Sequence, residues 1–300
     1  MHRAYHPLLP PIAIFYLVCS FVGVVGNGIM IVAFLKFGRL RSPCHYMITM
    51  NCLADLLHVS GHVVFAYHVL TGDSCSQKTC YFIQFLPCVG SCLGSPLIMV
   101  LGIDRMICCR FPRQYRDCLN APYRYTIAQM VFPFAFASTL MYIAFIERDP
   151  NSDNQIACII PMAMRNRAFE YFNYAGAFVN LTIICLYSYT AYVLWCQEDH
   201  ENLKLRSVFK SIFATMLFVM FGWAVTFIVN NVSFRISLAT DVAGIVQIYA
   251  GISVNLSLVC NVFIFYSINS DYRKCIRRLV FTKFEPDFAL SEIPTIFVKN

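Results

Sequence analysis

Seven apolar stretches, each long enough to cross a lipid bilayer, divide this sequence of 300 residues. A transmembrane helix needs about 20 mainly apolar residues, because the hydrocarbon core of a bilayer is about 30 Å thick. Backbone groups in lipid need internal partners, and the stretches lack the alternation of a membrane β-strand. The sequence therefore predicts an all-α, seven-transmembrane helix bundle. The stretches cover residues 12–36, 45–70, 80–109, 125–146, 169–196, 207–229 and 242–268.

The composition fits a chain whose surface meets lipid. Hydrophobic residues make up 58% of the sequence and charged residues only 13%, whereas soluble domains carry about 25% charge. The net charge of +7 would suggest nucleic acid as the partner of a soluble protein. Here the placement of the cations matters more, and we expect membrane lipids rather than nucleic acid as partners.

The cations crowd one side of the predicted membrane. Of the 23 Lys and Arg residues, 17 fall on the side that holds the carboxyl terminus, and the positive-inside rule makes that side cytoplasmic. We expect the protein in the plasma membrane. Because the number of helices is odd, residues 1–11 at the amino terminus are then predicted to lie outside the cell. Residues 269–283 form a predicted basic amphipathic eighth helix, and 284–300 a short cytoplasmic tail. The other side receives Arg3, Lys78, Arg148, Arg165, Arg167 and Arg235.

Charged residues inside membrane spans are costly and are functional candidates by default. Asp55 lies in the middle of the second stretch and needs polar partners, a proton or a cation; Asn27 and Asn261 are the candidate neighbours. We expect a polar network that moves during switching, with or without sodium; a hydrogen-bonded packing residue is the alternative. Asp104 and Arg105 end the third stretch at the cytoplasmic side. They form either a switch that is released when the helices separate or a simple salt bridge at the membrane interface.

Few cysteines face the outside. Of 15 cysteines, only Cys75, Cys80 and Cys158 fall in or beside predicted outer loops. A bridge from Cys80 to Cys158 would pin the long outer loop over the bundle in an oxidising compartment, and Cys75 is the rival partner. On the inner side, Cys275 in the basic stretch is a candidate for palmitoylation or stays an unmodified thiol.

Two other motifs are weaker. His58 and His62 share a helix face at the i, i+4 spacing of some metal sites, but no third ligand is evident. A packed or hydrogen-bonded pair is therefore expected, and we predict no metal. Asn231 begins a glycosylation sequon in the predicted last outer loop, residues 230–241, where the modification can take place.

Seven short motifs in order resemble the rhodopsin-like (class A) G-protein-coupled receptors. The resemblance covers residues 12–280, and Cys80 stands 25 residues before Arg105, as it does in that family. The LRS, CLADLL and GIDR runs with short loops look most like nematode serpentine chemoreceptors of the srsx type. The motifs are Gly26-Asn27, Leu40–Ser42, Leu53–Leu57, the pair Cys80 and Cys158, Gly102–Met106, Phe221–Trp223 and Asn261–Phe265.

The sequence also departs from the family pattern. Met106 replaces the tyrosine of the Asp-Arg-Tyr motif, and the run Asn261–Phe265 lacks the usual proline and tyrosine. Val225 stands where the family has a proline two residues after Trp223. Since proline bends helices, the sixth helix is expected to be straighter, and the signalling competence of Asp104, Arg105, Asn261 and Phe265 is put in question.

The resemblance implies a mechanism and a ligand pocket. A ligand bound between the third, fifth, sixth and seventh helices would favour outward movement of the sixth helix, and Arg105 would leave Asp104 to meet a heterotrimeric G protein. Pro87 stands at the position of the aspartate of amine receptors, and Asn255 at the position of the opsin lysine. The expected lining is Pro87, Cys88, Ser91, Trp223, Phe227, Asn230, Gly251 and Asn255.

This lining favours a small neutral or weakly polar ligand without a cofactor; a short peptide is the rival because the outer loop is charged. A binding-only receptor is an alternative, given the altered motifs. Enzymes are disfavoured because neither an HExxH nor a Gly-x-Ser-x-Gly motif occurs. A channel or transporter is less favoured, since seven-helix odorant channels have the opposite topology.

Overall fold

The computed structural model describes residues 6–148, 155–164, 166–196, 203–235 and 240–281. The predicted tail, 284–300, and the first five residues lie outside that part of the chain. The helices are α1 Leu9–Lys36, α2 Pro43–Thr71, α3 Gln77–Ile83, α4 Phe85–Arg110, α5 Pro112–Leu119, α6 Pro122–Ile146, α7 Ile160–Met164, α8 Asn166–Cys196, α9 Leu203–Arg235, α10 Thr240–Ile268 and α11 Ser270–Phe281, with a 3₁₀ turn at Gly38–Leu40. Two short strands, β1 Cys75–Ser76 and β2 Gln155–Ile156, pair antiparallel.

Six of these helices are long and apolar enough to cross a bilayer, as judged over the described residues. They are α1, α2, α4, α6, α8 and α10. The remaining predicted stretch, 207–229, falls inside α9, which has 33 residues. A helix of this length exceeds the thickness of the hydrocarbon core, because each residue adds about 1.5 Å.

The long helices form a closed ring of neighbours. Along the chain α1 packs on α2, α2 on α4, α4 on both α6 and α8, α8 on α9 and α9 on α10, while α10 returns to α1. Large side chains such as Phe21, Phe178 and Phe221 remain at least 70% exposed. Exposed aromatic rings of this size suit a surface covered by lipid.

The third span is broken, which the sequence analysis did not predict. The stretch 80–109 is divided at Gln84 into α3 and α4. Pro87 explains the break, because proline has no N–H to donate and its ring crowds the carbonyl four residues earlier, here Ile83. Gln84 is fully buried and its amide nitrogen donates to the carbonyls of Gly61 and Cys158 at 3.0 and 3.4 Å. The break thus joins α2, the third span and the outer loop.

One predicted loop boundary was wrong, and one predicted connection contains a helix. The connection between the third and fourth stretches contains the helix α5, whose start fits the preference for proline in the first helical turn. The last outer loop does not begin at residue 230, because α9 continues to Arg235 and α10 begins at Thr240. Asn231 therefore lies in the last turns of a helix rather than in a loop.

Candidate functional site

The carboxyl-terminal end of α4 holds a buried ion pair. Arg105 donates from Nε to Asp104 Oδ2 at 2.8 Å and also from Nη2 to the same oxygen. Asp104 is fully buried and Arg105 is 6% exposed. A charge-assisted pair of this kind is strong only while both groups stay together, because separating them leaves an uncompensated buried charge.

Tyr115 completes this cluster, and sequence reasoning missed it. Arg105 Nη2 donates to Tyr115 Oη at 2.9 Å, and the guanidinium carbon lies 5.8 Å from the centre of the phenol ring. Burial raises the pKa of the Tyr115 phenol, and the positive charge of Arg105 reverses only part of this increase. The phenol therefore stays neutral. Tyr115 is the buried residue of α5, the helix that begins at Pro112.

A second polar cluster joins α1, α2 and α10. Asn261 Nδ2 donates to Asp55 Oδ2 at 2.6 Å and contacts Asn27 Oδ1 at 3.4 Å. Asn51, one turn before Asp55, donates to the same carboxylate oxygen at 3.0 Å, and sequence reasoning did not name it. Asn27 also donates to the carbonyl of Leu258 at 3.2 Å. The three predicted network residues are therefore in contact, while their role in switching stays a prediction.

The helix α11 is anchored by a side-chain cap. Asn269 Oδ1 accepts from the backbone N–H groups of Asp271 and Tyr272, as preferred at helix starts. The ring of Phe265 lies 5.0 Å from that of Tyr272, so the altered end of the seventh-span motif packs on this helix. Cys275 is 5% exposed, and burial raises its pKa to about 11. Its palmitoylation stays a prediction and requires the thiol to leave its packed position.

Aromatic rings form the centre of the predicted ligand pocket. Trp223 and Phe227 on α9 stack at 5.2 Å between centroids, and Phe172 on α8 meets both edge-on at 5.9 and 5.7 Å. Trp223 is 3% and Phe227 2% exposed. Phe172 was not in the predicted lining.

The remaining predicted lining residues are buried on α4, α9 and α10 or lie close to them. Asn230 donates to Asn173 Oδ1 at 2.8 Å, and Asn255 donates to the carbonyl of Gly251 at 2.9 Å. Both asparagines are at most 3% exposed. Buried side chains of the α4 wall are Pro87, Cys88 and Ser91. These placements are compatible with a shared pocket, whose occupation stays a prediction.

Two histidines and a tyrosine extend this region toward α1, and sequence reasoning had not included them. The rings of His58 and His62 pack 5.4 Å apart. His58 lies 5.8 Å from Trp223, and His62 lies 4.7 Å from Tyr16. The expectation of a packed pair is met, but neither nitrogen of His62 makes a hydrogen bond of normal geometry in the described protein, although the Asn255 side chain interacts with the ring.

The Cys80–Cys158 disulfide is present, as predicted. Its Cα atoms lie 5.3 Å apart, within the range that a disulfide requires. Cys75 remains a free thiol, yet its sulfur lies within 4.8 Å of both bridged sulfurs. Burial raises the pKa of the Cys75 thiol, which keeps it protonated and slow to exchange at neutral pH.

The side-chain amide of the candidate glycosylation site, Asn231, makes a hydrogen bond within its own helix. Asn231 Nδ2 donates to the carbonyl of Phe227 at 2.8 Å inside α9. The amide nitrogen that would carry a glycan is therefore engaged within the helix. Glycosylation at this position stays a prediction, made less favourable by the corrected loop boundary.

The chain also has a match to a known family. The family model described as "Serpentine type 7TM GPCR chemoreceptor Srsx" matches residues 20–280, which is most of the sequence. The match includes the buried Arg105 cluster, the Cys80–Cys158 bridge and the aromatic centre around Trp223. No curated protein matches the chain.

Proposed function

Because the chain belongs to the Srsx family of serpentine seven-transmembrane chemoreceptors, we propose that it is a plasma-membrane receptor for a small neutral or weakly polar ligand, signalling to a heterotrimeric G protein. The predicted resemblance to this family is confirmed, and it makes the chain a multi-pass chemoreceptor of the G-protein-coupled class. What the proposal adds is the kind of ligand, the direction of the chain in the membrane and the switch.

The observation that carries the proposal is the burial of Arg105 against Asp104 and Tyr115. A guanidinium that is 6% exposed has no access to a protein partner. If the movement of neighbouring helices draws α5 away from α4, Arg105 loses its bond to Tyr115 and becomes available at the face that carries the surplus of cations. The arrangement supports a closed resting state of a switch that is read by a cytoplasmic protein.

The ligand acts by changing the balance between two states. It can shift the equilibrium only by the difference between its affinities for them. The aromatic centre of Trp223, Phe227 and Phe172 lies between α8 and α9, so a ligand there bears directly on the position of α9. This geometry supports α9 as the moving element.

The contact between α9 and α10 supports a pivot in the outer half. Ser253 donates to the carbonyl of Gly222 at 2.9 Å, and Thr226 donates to the carbonyl of Ala250 at 2.8 Å. These bonds tie the two helices where they are closest. The inner half of α9 would then swing outward about this point and open a groove for the G protein.

A reporter cell that measures G-protein activation across a ligand panel tests the proposal. Arg105→Ala is expected to abolish the ligand response, because the group that meets the G protein is lost. Arg110→Ala is the matched control, since Arg110 lies in the same helix and is exposed. Surface labelling must show equal amounts of both variants.

Three results would each contradict a part of the proposal. An unchanged response of Arg105→Ala would remove the switch role from this residue. A response to peptides alone would replace the small-molecule ligand by a peptide. A parent that binds ligands without activating any G protein would favour the binding-only receptor.

A further inference from the structure

His62 is a buried titratable side chain that no hydrogen bond of normal geometry satisfies. It lies on α2, the residue is 3% exposed, and neither Nδ1 nor Nε2 makes such a bond among the described residues, while the Asn255 side chain interacts with the imidazole. A neutral imidazole offers one donor and one acceptor. Leaving such groups unpaired in a buried site is unfavourable.

Further unpaired polar atoms lie around His62. They are Trp223 Nε1, Asn255 Oδ1 and Gln84 Oε1. Gln84 reaches the residue next to His62, because a Cβ built on Gly61 would lie 2.4 Å from Gln84 Oε1. Buried polar atoms are nearly always paired in folded proteins. Several unpaired atoms in one region therefore indicate a polar occupant.

Ring contacts and one glycine connect these groups. Tyr16 lies 4.7 Å from His62 between centroids, and His58 stands between His62 and Trp223 at 5.4 and 5.8 Å. On α10, a Cβ built on Gly251 would lie 2.3 Å from Tyr16 Oη and 3.9 Å from Asn255 Nδ2. The helices α1, α2, α9 and α10 thus contribute to one polar region beside the aromatic centre.

The buried charged side chains of the described residues lie away from this region. Among the described residues, the buried Asp, Glu, Lys and Arg side chains are Asp55, Asp104 and Arg105. Asp104 and Arg105 pair at the inner end of α4, and Asp55 lies seven residues from His62, or about 10 Å along the helix. A cationic amine or a carboxylate would lack a counter-ion beside His62, which favours an uncharged ligand.

We propose that the region formed by Tyr16, His58, His62, Trp223 and Asn255 is a polar subsite that binds the hydroxyl group of an uncharged alcohol or phenol. The inference rests on the proposed function and specifies its ligand class. A hydroxyl both donates and accepts, so it can donate to Asn255 Oδ1 or an imidazole nitrogen and accept from the Trp223 indole N–H. An ether or a hydrocarbon of the same shape cannot do both.

Binding to the purified full-length receptor in lipid nanodiscs tests the subsite without any G protein. The probes are alcohols paired with hydrocarbons in which a methyl group replaces the hydroxyl: phenol with toluene, and 1-octanol with nonane. Trp195 and Trp223 are the two tryptophans of the chain, so Trp195→Phe leaves the emission of Trp223 as the signal. Empty nanodiscs correct for partitioning into lipid.

We expect at least one alcohol to bind about tenfold more tightly than its hydrocarbon partner, as the cost of unpaired buried groups implies. His62→Phe should reduce that ratio to near one, whereas His62→Gln, which keeps a donor and an acceptor, should retain most of it. His68→Phe is the matched control on the same helix, because His68 is buried and already contacts the carbonyl of Asp73.

Equal binding of every alcohol and its hydrocarbon, or no alcohol binding up to the solubility limit, would overturn the inference. The ratio in the parent protein decides this even if the His62 variants fail to fold. Retention of the ratio in His62→Phe would remove the histidine from the subsite. Tight alcohol binding without G-protein activation would leave the subsite standing and contradict the proposed function instead.

Discussion

At the scale of single residues, Arg105 is held by three hydrogen bonds, two to Asp104 and one to Tyr115. The bond to Tyr115 connects α4 to the separate helix α5, so it resists the separation that activation requires. The bond to Asp104, in contrast, lies within one helix. Tyr115 is therefore the group that couples the ion pair to the movement of its surroundings.

Tyr115→Phe is expected to raise ligand-independent G-protein activation. The ring stays, but the bond to Arg105 is lost, which weakens the closed state by about 1 kcal/mol. A change of that size multiplies the active fraction about fivefold. Basal reporter activity at matched surface expression measures the effect. Tyr142→Phe is the control, because that ring is 65% exposed, and equal basal activity in the two variants would remove Tyr115 from the latch.

Cys75 lies close enough to replace Cys80 as a disulfide partner. In Cys80→Ser we expect a Cys75–Cys158 bridge, since the three sulfurs lie within 4.8 Å of one another and the strand pairing holds Cys75 opposite Ile156. Mass spectrometry of peptides from unreduced protein identifies the bridge. Loss of a native disulfide typically costs 2–5 kcal/mol, so surface expression should fall much further when Cys75→Ser is added.

The control for this exchange is Cys118→Ser in the Cys80→Ser background, because Cys118 lies in α5, which follows the carboxyl-terminal end of α4, whereas Cys80 lies before its amino-terminal end. Free Cys158 with no new bridge would contradict the prediction. In the parent, alkylation of Cys75 should be slow at pH 7 and rise above pH 9, because burial raises its pKa and only the thiolate reacts.

At the scale of helices, the spans were predictable because their length and apolar content are properties of contiguous sequence. The break at Gln84 was predictable in principle from Pro87, but an apolar run through residues 80–109 hides it. The helix α5 and the extension of α9 to Arg235 depend on packing against distant residues. Periodicity and spacing within a single segment do not contain such information.

The residues of the candidate site also divide into those that the sequence predicted and those that it did not. Asp55 was predictable as a residue that needs partners, since a carboxyl in an apolar run is costly. Its bond to Asn261 joins positions 206 residues apart, and Asn261 was one of the two polar neighbours that the sequence predicted for it. Tyr115 and Tyr16 matched no expected motif, and the spacing of His58 and His62 indicated only a packed pair, because the neighbours that matter to these residues lie on other helices.

The closest approach of α9 to α10 gives a prediction about stability. A Cβ built on Gly222 would lie 2.6 Å from the carbonyl oxygen of Ser253, a backbone atom that cannot easily move, while nothing lies within 4 Å of one built on Gly28. Small residues let membrane helices approach each other. Gly222→Ala should therefore lower the thermal stability of the purified receptor.

Gly28→Ala is the matched control in α1 and should leave thermal stability unchanged or raise it slightly, because alanine favours helix over glycine by about 1 kcal/mol. Both variants are compared by the fraction that remains monodisperse after heating. A Gly222→Ala receptor as stable as Gly28→Ala would show that α9 and α10 are not held together at this position.

At the scale of the whole molecule, the distribution of cations predicts the orientation. The side with 17 of the 23 Lys and Arg residues carries α5, α11 and the end of α4. The contact between Arg39 and Asp271 at 2.9 Å joins the first inner connection to α11. The disulfide and the β1–β2 pair occupy connections of the opposite side, where an oxidising compartment suits the bridge.

A glycosylation tag at either terminus tests this orientation, in a background with Asn231→Gln so that the native sequon adds no signal. We expect the tag before residue 1 to be modified and a tag after residue 284 to stay unmodified, because only the outer side meets the glycosylation machinery. Endoglycosidase treatment and a mobility shift measure the result. Modification of the carboxyl-terminal tag alone would place Arg105 and Tyr115 outside the cell, where no G protein can reach them, and would favour the channel topology over the receptor.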